Sequence, residues 1–346
     1  MTGGVTLEGL GYRYPRAHDA ALRDVTFSVA PGEVLAVVGP SGSGKSTLLR
    51  LLCGLLEPTH GRLSIGGADM AAVAPERRPV AMVFQGFALF PHLTVRDNIG
   101  FGLRVRRVSR PERERRVVEA AATLHLDSLL DRLPAQLSGG ERQRTALARS
   151  LVRDPLLFCL DEPLSSLDPV LRTAARRELA ELLRADGRCA IYVTHDQAEA
   201  MTAGDRIAVL RDGAVEQVST VRDLYERPAT TFVAGFIGTP PMSLIPADMP
   251  GSPIAAPFAA PPGATLGVRA EDVRLDAAAP TFSVTSVEDV GNELHVVLDI
   301  GGFPLVARVP PGVRIAAGDR IGVRVPTERV HVFDPAGRAV LLGPVR

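Results

Sequence analysis

Lysine is almost missing from this chain. Lys45 is the only lysine among 39 Lys and Arg residues, and every other one is arginine. Cysteine is scarce as well. Cys53, Cys159 and Cys189 stand far apart, each inside an apolar run and without the spacing of a metal-ligand set, so they read as small reduced core residues. Neither sign of charge dominates: 39 acidic and 39 basic residues leave a formal net charge of zero. That removes any global electrostatic pull towards nucleic acid or an anionic membrane. No apolar run approaches the length of a membrane span, and the opening Met1-Thr2-Gly3-Gly4-Val5 lacks the basic-then-apolar pattern of an export signal. The expectation is a cytoplasmic protein that reaches a membrane, if at all, through a partner.

What is present is an ordinary globular composition, 46% hydrophobic and 23% charged over 346 residues, long enough for two or three domains. The one lysine falls in the most informative stretch. Val34 to Val38 is a Val-rich apolar run that reads as a buried parallel strand. Gly39-Pro40-Ser41-Gly42-Ser43-Gly44-Lys45-Ser46 then fits G-x-x-x-x-G-K-[ST] at every fixed position, and Thr47 to Leu56 reads as a helix. Glycines let successive backbone N–H groups turn inward around phosphate oxygens, and the helix adds its free N–H groups and dipole. In that pattern Lys45 reaches the β- and γ-phosphates and the Ser46 hydroxyl holds Mg²⁺. A chain that has discarded lysine elsewhere keeps it where a compact point charge is wanted.

Before this stretch, Val5–Leu7 and Val25–Val29 suit half-buried antiparallel strands, with Tyr12-Arg13-Tyr14-Pro15 between them. Residues 80–84 form another strand ending at Gln85, placed to touch a metal or an attacking water. From Phe87 the pattern turns helical. Ser109-Arg110-Pro111-Glu112 is a helix start with serine as cap; residues 104–116 hold seven arginines, a run that could meet acidic lipid headgroups or a partner, but with Glu112, Glu114 and Glu119 interleaved it reads first as a solvated face. Ser138 and Glu141 have capping-box spacing, while the adjacent Gly139 and Gly140 suit a phosphate approaching a helix N-terminus. Leu156–Leu160 is an apolar strand ending in Asp161-Glu162; two acids at the end of a buried strand suit an Mg²⁺ shell (Asp161) and a general base on water (Glu162). Cys189–Val193 is a further strand running into Thr194-His195-Asp196, where His195 could contact a γ-phosphate.

Together these pieces resemble the ATP-binding cassette (ABC) ATPase family. The resemblance spans residues 5–236 and rests on Walker A (Gly39–Thr47), the Q-loop Gln85, the signature Leu137-Ser138-Gly139-Gly140-Glu141, Walker B (Leu156–Asp161) with Glu162, the D-loop Ser165–Asp168, and His195. It implies a P-loop NTPase, an α/β RecA-like core with an antiparallel β subdomain and a helical insert at about 86–150. It also implies ATP and Mg²⁺ as cofactors, with Gly39 to Thr47 on the nucleotide, Tyr14 stacked on adenine, and Ser46, Gln85 and Asp161 around the metal. Glu162, His195 and Gln85 are the implied catalytic set. A second copy of the chain would present Leu137 to Glu141 to the nucleotide, with Ser166, Leu167 and Asp168 as the D-loop.

Composition changes after Phe236. Residues 237–264 are rich in Pro, Ala and Gly and read as a linker; from 265 to 346 short Val-rich strands alternate with turns as in a small all-β, OB-like domain. Gly267–Val273, Glu288–Glu293 and Leu305–Val309 resemble the C-terminal TOBE-type regulatory domain of importer ATPases, and Phe232–Met242 with Ile191–Gln197 is similar to the carbohydrate and glycerol-phosphate branch. The expected function is an ATPase energising an importer of such cargo. Polyamine, ferric iron, sulfate or molybdate import is the alternative. The expected partners are a second copy, two membrane permeases contacted through Phe87, Leu89 and Phe90, and indirectly an external binding protein; no nucleic acid is expected. This places the protein on the cytoplasmic face of the membrane. An exporter ATPase normally lacks the C-terminal barrel, and a soluble non-transport ATPase usually carries two cassettes or a coiled coil, of which this chain shows one cassette and no heptad run.

Overall fold

A computed structural model describes residues 3–165, 167–250, 252–254 and 260–340. The chain divides into two compact units, Met1–Val221 and Arg222–Arg346.

In the first unit the elements run β1 (Val5–Tyr12), β2 (Leu22–Val29), β3 (Val34–Val38), α1 (Lys45–Leu52), β4 (His60–Ile65), β5 (Ala68–Asp69), β6 (Val80–Val83), α2 (Val95–Val105), α3 (Arg110–Thr123), α4 (Gly139–Leu151), β7 (Leu157–Asp161), α5 (Pro169–Asp186), β8 (Cys189–Val193), α6 (Gln197–Ala203), β9 (Arg206–Arg211) and β10 (Ala214–Thr220). β2-β1-β4-β5 form an antiparallel sheet, and β10-β9-β3-β8-β7-β6 a second sheet whose strands are parallel except for β10 at one edge. Every residue of β3 and β8 is buried, as a parallel strand covered on both faces requires. Alternate residues serve different cores. Leu35, Val37, Ile191 and Val193 join the leucines of α1 and the antiparallel sheet, whereas Ala190 and Tyr192 join the insert helices α2 to α4. Because β3, β6, β7 and β8 run the same way, their C-terminal ends share one edge of the sheet, and the loops carrying Gly39, Gln85, Glu162 and His195 collect there.

Two helix starts separate sequence pattern from structure. Ser138 caps α4 as its spacing implied, but Ser109 makes no side-chain cap on α3. The reciprocal half of a capping box is not made either: Arg115 and Arg116 both bind the Glu112 carboxylate, at 2.7 and 2.6 Å.

The second unit holds α7 (Val221–Glu226), α8 (Thr231–Phe236), β11 (Ser243–Pro246), β12 (Thr265–Val268), β13 (Arg274–Leu275), β14 (Thr281–Asp289), β15 (Leu294–Ile300), β16 (Phe303–Val309), β17 (Arg320–Arg324) and β18 (His331–Phe333). A three-stranded sheet β11-β12-β18 and a five-stranded sheet β13-β17-β14-β15-β16, all antiparallel, surround a Val-rich core that includes Val268, Val284, Val296, Val309 and Val323. The all-β, OB-like expectation agrees with this. The boundary does not fall at 236: residues 222–236 belong to this unit. Arg269, only 2% exposed, donates to the carbonyls of Ala234, Ile237 and Tyr225, and its guanidinium lies 4.0 Å from the centre of the Tyr225 ring, fastening both helices to the β-sheets. Part of the expected linker is also strand. Ser243 and Ile245 are buried on one face while β11 pairs with β12, an alternation that the surrounding prolines and alanines disguise.

Candidate active site

β3 delivers its loop into a space that only glycine fits. A Cβ on Gly39 would lie 2.2 Å from the Leu210 carbonyl oxygen, and one on Gly44 2.6 Å from that of Ala21. Gly44 takes φ 104° and stands at the N-cap of α1 with no side chain capping the helix, so its first-turn N–H groups face outward from Lys45 and Ser46. Lys45, 9% exposed, folds back on the loop: Nζ donates to the Gly39 and Pro40 carbonyls at 2.8 and 2.9 Å. Burial lowers its pKa, while Glu162 and Asp161 act in the opposite sense. A buried ammonium held only by neutral oxygens, at a helix start that no side chain caps, suits phosphate oxygens. Ser41, Gly42 and Ser46 are exposed at the mouth and Ser43 is buried beneath them. Tyr14 stands at the start of α1, its hydroxyl 3.2 Å from Thr47 Oγ1 and accepting from Arg50 Nη1 at 3.3 Å.

Three of the expected residues meet directly. Gln85 Nε2 donates to Glu162 Oε2 at 3.2 Å, and His195 Nδ1 lies 3.1 Å from Glu162 Oε1. Glu162 holds φ 44°, the left-handed region, with its N–H donating to the Val193 carbonyl; backbone strain of this kind is common where a side chain must be aimed. Next to it, burial and then the neighbouring Glu162 raise the Asp161 pKa, opposed by Arg50 and Lys45. That carboxylate gains from a cation. The oxygen donors on hand are Ser46, Asp161 and the Gln85 amide, a hard-ligand set that fits Mg²⁺ when phosphate oxygens complete the shell.

The signature residues form their own group. Ser138 Oγ accepts from the Glu141 N–H at 3.3 Å and Glu141 Oε2 accepts from the Ser138 N–H at 2.6 Å, which holds the Glu141 pKa down. A Cβ on Gly139 would lie 2.7 Å from Leu167 Cδ2, whereas one on Gly140 would meet nothing within 4 Å, leaving that side of the helix start open. Leu137 and Leu167 are buried, and Asp168 Oδ1 accepts from the Val170 N–H. Ser166, expected beside them, lies outside the described residues. Among the described residues no hydrogen bond or ion pair joins 137–141 to the loop 39–47. Of the expected permease contacts, Phe87 is a core residue at 6% exposure. Phe90 is half-buried against Phe101, and the exposed aromatic of this segment is Phe84.

Two positioning groups escaped the sequence reading. Arg149 of α4 donates to the Phe87 and Ala88 carbonyls at 2.9 and 2.7 Å, holding the loop after Gln85 where both residues take positive φ. Glu199, 3% exposed, accepts from Tyr192 and Thr194 hydroxyls at 3.1 and 2.9 Å, and Asp196 Oδ1 caps α6 by accepting from the Glu199 N–H. This network fixes both sides of His195. Glu199→Ala is expected to lower kcat about tenfold with KM for ATP within about twofold, and to cost roughly 1–3 kcal/mol of stability from the unpaired hydroxyls. Glu199→Gln, still an acceptor, should retain most turnover; steady-state kinetics beside thermal unfolding separates the two effects.

The sequence matches the ABC transporter family over residues 22–165 and the TOBE domain family over residues 266–333. It is 46% identical over 330 residues to the sn-glycerol-3-phosphate import ATP-binding protein UgpC of Rhizobium meliloti (strain 1021), covering 92% of this chain and 95% of that protein. The protein of the same name in Brucella abortus (strain 2308) is 45% identical over 331 residues, covering 92% and 94%. Among solved structures, the dimeric post-hydrolysis state of the ATP-binding cassette MJ0796 bound to ADP and Pi superposes with a TM-score of 0.55 and 32% identity, over 63% of this chain and 99% of that one. With matches to both families along the chain and close relatives over nine-tenths of it, the chain belongs to the ABC transporter family, as an ATPase with a C-terminal TOBE domain.

Proposed function

We propose that the chain is the ATP-hydrolysing subunit of an importer for glycerol phosphate or a related sugar-class cargo. The observation that carries this is similarity over nine-tenths of the chain to proteins named for sn-glycerol-3-phosphate import. Two copies, docked on membrane permeases at the cytoplasmic face, would close on ATP and reopen after hydrolysis. Phe84 is the exposed candidate for that docking, with the partly buried Leu89 near it in the chain.

In this reading Lys45 and the N–H groups of Gly42 to Thr47 bind the phosphates, and Tyr14 faces the adenine. Ser46, Asp161 and Gln85 hold Mg²⁺, which supplies charge neutralisation on the phosphates when bound. Glu162 takes a proton from water as the water oxygen bonds to the γ-phosphorus; the bond from that phosphorus to the bridging oxygen breaks, leaving ADP and phosphate. His195 and Gln85 clasp Glu162 in the single chain and would orient it; His195 is within reach of a γ-phosphate and Gln85 of the metal were they bound. Ser138 to Glu141 of the second copy would cover the nucleotide, with Leu167 and Asp168 beside them, and the open side of Gly140 suits that approach.

Uptake decides the cargo. In cells whose own gene carries Glu162→Gln, glycerol-phosphate or sugar uptake is expected to fall to background while polyamine, ferric iron, sulfate and molybdate uptake stays unchanged. Loss of one of the latter instead would overturn the cargo assignment but keep the importer. No change in any of them would overturn both.

A further inference from the structure

The arginine-rich turn between α2 and α3 is not the balanced face its sequence implies. Glu112 is taken by Arg115 and Arg116, and Glu119 by Arg115. Glu114 is taken by Arg96 on α2. The three acids of α3 are therefore all engaged, by Arg115 and Arg116 of the same helix or by Arg96 of α2. Arg104, Arg106, Arg107, Arg110 and Arg113 are left without an ion pair among the described residues. Arg106 donates to the main-chain carbonyl of Glu76, not to its carboxylate, and the Arg104 guanidinium lies 5.3 Å from the centre of the Phe101 ring.

Two glycines gather further charge onto the same turn. A Cβ on Gly100 would lie 3.4 Å from Arg113 Cδ, and one on Gly102 3.7 Å from Arg153 Cδ, so both arginine stems lie along the bare flank of α2. Burial, and then the charge of Arg106, lowers the Arg153 pKa. Arg107 takes φ 58° in the turn, and Val105, 66% exposed, lies between Arg104 and Arg106 in the sequence. Arginines crowded together with their acids diverted repel one another unless anions lie between them. A surface of many anions serves that need better than one acidic side chain, and an exposed valine among arginines suits the boundary between headgroups and acyl chains. The proposed importer function, on which this inference rests, puts the chain beside a membrane, which supplies such a surface.

We propose that the α2–α3 turn is a membrane-contact surface that takes anionic phospholipid headgroups through Arg104, Arg106, Arg107, Arg110 and Arg113. It is independent of the nucleotide and of the cargo. The test is co-sedimentation of the full chain with vesicles of phosphatidylcholine plus phosphatidylglycerol, and with phosphatidylcholine alone, over a range of salt. Binding is expected only with the anionic lipid, falling as salt rises. The triple variant Arg104→Gln, Arg106→Gln, Arg107→Gln is expected to bind at least about tenfold more weakly, with ATPase activity unchanged. Arg107→Glu alone, a smaller perturbation, should weaken binding in the same direction if the triple variant does not fold. Equal binding by wild type and folded variants overturns the proposal, as does equal binding to the two vesicle types. Arginine-dependent binding of a polyglutamate peptide with no vesicle binding also overturns it, and would assign the turn to an acidic protein segment.

Discussion

Replacing Glu162 with glutamine is expected to leave ATP binding intact and to slow hydrolysis by at least about 100-fold, the size of a lost general base. The geometry makes this substitution unusually clean. Glutamine keeps the side-chain length and one acceptor oxygen, so the contacts to Gln85 Nε2 and His195 can be rebuilt around it. What it cannot do is accept a proton from water. The left-handed backbone at residue 162 is as accessible to glutamine as to glutamate, so thermal unfolding should barely change. With ATP bound and hydrolysis stalled, the closed form should accumulate, visible as a shift to dimer on a sizing column only in the presence of ATP. A variant that turns over ATP at the wild-type rate would falsify the base assignment while leaving the nucleotide site in place.

The second large effect belongs to Lys45. Its ammonium makes hydrogen bonds to two carbonyls of its own loop, so burial is already offset in part without nucleotide. Lys45→Ala removes the buried charge and its desolvation cost together, and stability should change little. Nucleotide binding should suffer instead. A charge-assisted contact to phosphate contributes about 1.5–3 kcal/mol, which is roughly 10- to 150-fold in Kd. Titration with a fluorescent ATP analogue gives the number directly. Unchanged affinity in a folded variant would remove Lys45 from the phosphate site. Arginine in its place should bind poorly too, because a planar fork does not fit beneath the Gly39 and Pro40 carbonyls, where the ammonium sits.

The placement of the candidate residues on one sheet edge was legible where local pattern and chemistry coincide. Gly39 to Ser46, Asp161 and Glu162 follow apolar runs that could only be buried strands, and parallel strands bring their following loops to one edge whatever the intervening chain. Gln85 and His195 sit one or two residues beyond such runs, so their meeting with Glu162 followed from the same rule. Glu199 and Arg149 were not legible, because nothing in the sequence says which polar side chain will be buried or which carbonyl it will find. The same holds for Glu112, which as a third residue after Ser109 matched a capping box by spacing, whereas two arginines on its own helix bind its carboxylate. β11 was hidden by composition: prolines and alanines around it signalled a loose segment, while its pairing partner β12 stands 19 residues further on.

Arg269 bears on how such chains can be taken apart and recombined. Its hydrogen bonds reach back to Tyr225, Ala234 and Ile237. A chimaera joined at 236 would therefore separate an arginine from the carbonyls that neutralise its burial, leaving a bare cation on one parent and two helices without an anchor on the other. Joined at 221, the exchange carries the arginine and both helices as one cassette. The seam that composition marks and the boundary between the two compact units are 15 residues apart.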